Sequence, residues 1–126
     1  MAGELILVVE DNDLNLELTT DLLEAAGYVV CQVRTAEAAI QAARARRPRL
    51  ILMDVSLPGM DGLEATRTLK RDPDTLQIPV VALTAHAMRG DEEKARAAGC
   101  SGYITKPIDT RKFAKTIASL IHSADG

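Results

Sequence analysis

Strand-length apolar runs alternate with helix-length periodic segments five times along this chain, and that alternation restricts the fold more than any other feature. "LILVVE" (5–10) is a short continuous apolar run. In "DLNLELTTDLLEAAG" (13–27), Leu14, Leu18 and Leu22 recur at i, i+4 and i+8 with Leu23 beside them. That spacing predicts one face of a helix, which Gly27 can close. "YVVCQV" (28–33) is rich in β-branched residues, and "TAEAAIQAARARR" (35–47) reads as a helix with Thr35 as N-cap and Pro48 as its stop. "LILMD" (50–54) is the third strand, and "DGLEATRTLKRD" (61–72) opens with Asp61 and Glu64 at nearly capping-box spacing.

The fourth strand is "IPVVALTA" (78–85), with Pro79 near its start, where a missing N–H is tolerated. "RGDEEKARAAG" (89–99), "SGYIT" (101–105) and "DTRKFAKTIASLIHSA" (109–124) supply helix, strand and helix. Asp109 is the expected N-cap of the last, with Phe113, Ile117, Leu120 and Ile121 on its buried face. Continuous apolar strands separated by helices predict a parallel sheet covered on both faces, with right-handed crossovers. At 126 residues and 47% apolar content, one domain with a real core is expected over residues 1–126.

A net charge of −3 argues against a general nucleic-acid binder, which usually carries a basic face. No apolar stretch approaches the roughly 20 residues needed to span a bilayer. The N-terminal run has no basic region before it and no small-residue cleavage site, so it reads as a strand rather than a signal peptide. Cys31 and Cys100 have no metal-ligand spacing and are expected as buried free thiols. The location expected from these features is the cytoplasm.

In open α/β sheets, ligands bind beyond the carboxyl ends of the strands. The first strand ends in Glu10-Asp11, the third in Asp54, the fourth in Thr84-Ala85 and the fifth in Thr105-Lys106-Pro107. The second ends without comparable chemistry. Carboxylates that close repel one another, and a hard divalent cation relieves the repulsion. An all-oxygen set favours Mg²⁺. Acids, a metal, a hydroxyl and a lysine together suit phosphoryl transfer, where positioning and charge neutralisation do most of the catalysis. A carboxylate can itself be the nucleophile, and Asp54, on the central strand, is the candidate. The other roles open to these residues are ordinary ones: Glu10 and Asp11 as helix caps, Tyr103 as a core residue, His86 as an exposed loop residue. Arg44, Arg46, Arg47 and Arg49 read as a solvated helix end or part of a docking surface. Met88 reads as either core or partner-facing.

Four segments carry a resemblance: "VVEDN" (8–12), "LILMDVSLPGMDG" (50–62), "VVALTAHA" (80–87) and "GYITKP" (102–107). In this order and spacing the chain resembles the receiver domain of bacterial two-component response regulators over essentially its full length. "TTDLLEAAGY" (19–28) and "TAHAMRGDEEKARAAGCSGYITKPI" (84–108) make it most similar to the single-domain, DivK-like group. Receivers of hybrid histidine kinases share much of the pattern.

The resemblance implies a doubly wound, flavodoxin-like (βα)5 fold with strand order 2-1-3-4-5 and no output domain. It implies that Asp54 accepts a phosphoryl group from a phosphohistidine of a kinase or phosphotransferase. Asp11, Asp54 and the backbone carbonyl of Ser56 would hold Mg²⁺, or Mn²⁺ in its place, with Glu10 acting through water. Lys106 would pair with the acids and then with a phosphoryl oxygen, and the Lys106–Pro107 bond would be cis. Thr84 and Tyr103 would form a switch that changes the partner affinity of the face made by the fourth helix, fifth strand and fifth helix. Ser56 and His86 would border the phosphoryl group and tune its lifetime.

The output would be protein binding, as a terminal regulator or a relay intermediate, with no turnover chemistry and no contact with nucleic acid or membrane. A Mg²⁺-dependent aspartyl-phosphate phosphatase would place a second Asp two residues after the nucleophile, where this chain has Ser56. A flavin carrier would need a phosphate-cradling loop where "EDNDLN" (10–15) is acidic.

Overall fold

The computed structural model describes residues 3–55, 57, 61–84, 91–106 and 108–125, without the side chains of 91 and 123–125. The expectations for Ser56, His86, Met88 and the Lys106–Pro107 bond lie outside the described residues.

Five strands and five helices alternate: β1 (Leu5–Val9), α1 (Asp13–Ala25), β2 (Val29–Val33), α2 (Ala36–Arg46), β3 (Leu50–Asp54), α3 (Gly62–Arg71), β4 (Val80–Thr84), α4 (Asp91–Ala98), β5 (Gly102–Thr105) and α5 (Phe113–Asp125). The strands form one parallel sheet in the order β2-β1-β3-β4-β5, as the resemblance implied. Every residue of β3 and β4 is buried, which explains why these strands read as unbroken apolar runs.

Alternation along the strands sends side chains to two cores. Leu7, Val9, Ile51, Met53, Val80 and Ala82 meet Ala36, Ala39, Ala43, Ala65, Leu69 and Ala95 from α2, α3 and α4. Ile6, Val8, Leu50, Leu52, Val81 and Leu83 meet Leu16, Leu23, Phe113, Ile117 and Ile121 from α1 and α5. The alanines of α2 let that helix lie close to the sheet. Both cysteines are free, and Cys100 is buried as expected, but Cys31 is only half-buried because it lies on the edge strand β2.

Local chemistry explains most boundaries. The Thr35 hydroxyl accepts from the Ala38 N–H at 3.1 Å, and the Asp61 carboxylate accepts from the Glu64 N–H at 2.8 Å. Gly27, at φ +96°, takes the left-handed turn after α1, and Arg47 does the same after α2 at φ 45°. Pro79 lies just before β4, where its carbonyl accepts from the Ile51 N–H at 2.9 Å.

Two expectations are corrected. Leu14, Leu18 and Leu22 are not the buried face of α1: Leu14 is 77% exposed and Leu18 39%, while Leu16, Thr19, Thr20 and Leu23 are buried. Leu22 packs only at the core's margin. The buried stripe runs instead through Leu16, Thr19, Thr20 and Leu23, itself at helical spacing. Asp109 does not cap α5, which begins at Phe113; it closes the preceding turn, accepting on its carboxylate from the Arg111 N–H at 3.0 Å. Arg44, Arg46 and Arg47 are exposed, as a solvated helix end, and Arg49 is half-buried; three of the four also pair with distant segments. Arg44 pairs with Asp72 at 2.6 Å, Arg47 with Asp74 at 3.8 Å and Arg49 with Glu4 at 3.3 Å. These carboxylates come from the connection after α3 and from the start of β1.

Candidate functional site

The parallel sheet delivers the polar strand ends to one edge. β1 and β3 are neighbours with Val9 opposite Met53, so Glu10 and Asp11 emerge beside Asp54. One carboxylate oxygen from each of the three lies within 4.8 Å of the others. Glu10 is 1% exposed and Asp54 2%, whereas Asp11 opens to solvent. Neither Glu10 nor Asp11 caps α1. That role belongs to Asn12, whose side chain accepts from the Asn15 N–H at 3.0 Å, while its own N–H donates to Glu10 Oε1 at 3.3 Å.

Lys106 follows β5 and reaches back across β4. Its Nζ stands 2.7 Å from Glu10 Oε2 and 3.3 Å from Asp54 Oδ2. Its backbone N–H donates to the Thr84 carbonyl at 2.7 Å, which fixes where the side chain starts. Burial raises the Glu10 carboxyl above its ordinary range, the Asp54 carboxylate raises it further, and Lys106 opposes the rise. Burial works to lower the Lys106 ammonium, but hydrogen bonding and charge from Glu10 and Asp54 outweigh it, so the group is raised and stays cationic. Lys106 pairs with two of the three carboxylates, Glu10 and Asp54. That excess of hard oxygen donors fits a divalent ion such as Mg²⁺, held by Glu10, Asp11 and Asp54.

Gly62, the first residue of α3, touches Asp54 at the backbone. A Cβ there would stand 2.1 Å from the Asp54 carbonyl oxygen. The absence of a side chain is therefore what lets α3 begin directly against the end of β3.

Thr84 ends β4 and is buried. It lies opposite Thr105, with Ala82 opposite Tyr103, so Thr84 and Tyr103 share one face of the sheet. Tyr103 is half-buried against the core beneath α2–α4. With Ile104, Ile108, Lys112 and Phe113 it also lines a cleft of about 250 Å³ beside the start of α5.

The sequence-predicted residues Glu10, Asp11, Asp54 and Lys106 are thus brought together, with Thr84 next to them at the same edge. One charged residue was not anticipated. The end of β2 carries Arg34, whose Nη1 is ion-paired with Asp13 Oδ1 in the first turn of α1. The register that joins them is not visible in the local sequence, because the two stand 21 residues apart.

A family model described as the response regulator receiver domain matches residues 6–118. The polar-differentiation response regulator DivK of Brucella anthropi is 49% identical over 119 residues, which cover 94% of this chain and 97% of that protein. The receiver domain of the sensor histidine kinase PA1611 from Pseudomonas aeruginosa, solved with a magnesium ion coordinated in its active-site cleft, is 36% identical. It superposes with a TM-score of 0.88 over 96% of this chain and 99% of that one. A LuxR-family two-component response regulator from Aurantimonas sp. is 29% identical with a TM-score of 0.88, over 97% of this chain and 87% of that one.

Proposed function

This chain belongs to the response regulator receiver domain family of two-component signalling, with DivK-like relatives, and from that premise we propose that Asp54 is its phosphoryl acceptor. The observation that carries the proposal is the pairing of a buried Asp54 with Lys106 Nζ at 3.3 Å, beside two more carboxylates within 4.8 Å. A carboxylate is kept at the end of an apolar strand, next to a fixed cation. This is the arrangement a nucleophile toward phosphorus needs.

An Asp54 oxygen attacks the phosphorus of a phosphohistidine on a kinase or phosphotransferase. The new P–O bond forms as the P–N bond breaks, and the electron pair leaves with the imidazole. Lys106, held cationic, gives up part of its contact with Asp54 and turns to a phosphoryl oxygen. Asp11 and Asp54 would hold the metal, with Glu10 acting through water, a reading supported by the magnesium ion in the cleft of the similar Pseudomonas receiver. Bound Mg²⁺ supplies charge neutralisation between the acids and the phosphoryl oxygens. The same residues, with water in place of the departing group, carry the chain's own dephosphorylation. The protein is therefore a phosphorylated switch rather than a turnover enzyme.

The Thr84 hydroxyl donates to a phosphoryl oxygen and is drawn toward Asp54. Tyr103, on the same face, then turns further inward, and the face of α4, β5 and α5 changes its affinity for a downstream protein. Coverage of 97% of the similar DivK protein supports reading this receiver as a DivK-like unit. The cytoplasm is the location we propose for such a regulator; among the described residues no helix is long and apolar enough to cross a membrane.

The test is the intact mass after incubation with acetyl phosphate and Mg²⁺. One added phosphoryl group is expected, lost in Asp54→Asn and without Mg²⁺. An adduct that survives Asp54→Asn overturns the assignment.

A further inference from the structure

The acid cluster that serves Asp54 also repels what Asp54 must meet. A phosphoryl donor arrives as an anion, and the carboxylates of Glu10 and Asp11 stand beside Asp54. On the β5 side Lys106 is already committed to Glu10 and Asp54. On the β2 side the Glu10 N–H donates to the Val33 carbonyl at 3.1 Å, so Arg34 leaves β2 beside the point where β1 delivers Glu10 and Asp11. Only β1 separates β2 from β3, and strands are spaced by roughly 4.8 Å, so an extended arginine reaches the mouth of the cluster.

Arg34 is 57% exposed and its partner Asp13 79%. An exposed ion pair of this kind is held weakly and exchanges partners readily. Its planar fork matches a phosphoryl group, to which it can donate two parallel hydrogen bonds.

We propose that Arg34 is a positioning residue for phosphoryl transfer, moving from Asp13 to the anionic phosphoryl group of the incoming donor and offsetting the repulsion of the acid cluster. The inference rests on the assignment of Asp54 as acceptor. It concerns approach and orientation, not the bond-making step, and it gives β2 a functional end like those of the other strands.

Two readouts are affected in opposite directions, which a purely structural role would not produce. Arg34→Ala lowers the apparent second-order rate of phosphorylation by acetyl phosphate about 10-fold at low ionic strength, and the deficit closes at high salt. The same change removes a positive charge near the metal ligands, so Mg²⁺ affinity, measured by calorimetry without any donor, tightens about 2-fold. Arg34→Lys keeps most of the rate. Asp13→Asn, which frees Arg34 and removes a negative charge, speeds the donor reaction and weakens Mg²⁺ binding.

Unchanged rate and Mg²⁺ affinity in Arg34→Ala, with wild type modified normally, overturn this inference alone. A fall in both together overturns it too, in favour of a structural strap between α1 and β2. Failure of wild type to take a phosphoryl group removes the Asp54 assignment, and this inference with it.

Discussion

Lys106 Nζ lies 2.7 Å from Glu10 Oε2, so a lysine that follows the edge strand β5 neutralises a carboxylate at the end of β1, two strands beyond its neighbour β4. Lys106 also serves Asp54 at 3.3 Å. Removing one partner of a buried ionic group costs more than the pair contributes, because the charges left behind remain desolvated. Lys106→Met is expected to lower the stability of the Mg²⁺-free protein by about 3 kcal/mol. Mg²⁺ should then recover more melting temperature in the variant than in wild type. Chemical denaturation with and without Mg²⁺ measures both.

Gly62 is expected to be nearly irreplaceable. An alanine Cβ would meet the Asp54 backbone oxygen at 2.1 Å, and backbone cannot give way as a flexible side chain can. Gly62→Ala should cost about 3 kcal/mol and displace Asp54, slowing phosphorylation. Urea unfolding and the acetyl phosphate rate of the same variant test the two parts.

The face of α1 can be tested directly. Leu16 is buried, and Leu16→Ala should cost about 2–5 kcal/mol. Leu14 is exposed, and Leu14→Ser should change stability by no more than about 0.5 kcal/mol. Equal losses at the two positions would contradict the orientation described.

Burial raises the Cys100 thiol above its ordinary 9.0, with Thr66, Lys70 and Arg96 opposing the rise. The unfolded thiol ionises first as pH rises, so this group's contribution is full below 9.0 and is lost as pH climbs through its folded value. The stability difference between wild type and Cys100→Ala should therefore shrink above that pH. Iodoacetamide should modify the half-buried Cys31 in the native state and reach Cys100 only on unfolding.

How much of this was legible in the sequence depends on whether the cause was local. The fold was legible because β3 and β4 are buried on both sides and must be apolar throughout, and because Thr35 and Asp61 announce helix starts by their own hydrogen bonds. The acid site was legible because parallel strands end together. The face of α1 was not. Its buried side includes Thr19 and Thr20, and Thr20 is tolerated there because its hydroxyl accepts from Gln32 Nε2 at 2.8 Å, across to β2. Arg34 with Asp13, and Arg44 with Asp72, depend on register between segments 21 and 28 residues apart. Lys70 gave no signal either. It is drawn inward to donate to the carbonyls of Leu76 and Ile78 at 3.0 and 2.6 Å.

The most direct test of the central claim is to trap the phosphorylated residue itself. After reaction with acetyl phosphate and Mg²⁺, borohydride reduces an acyl phosphate and turns the modified aspartate into homoserine, which peptide mass mapping places in the sequence. Homoserine at position 54, and at no other acidic residue, is the predicted result. Homoserine at Glu10's neighbour Asp11, or an unreduced phosphoester elsewhere with Asp54 intact, would contradict the account.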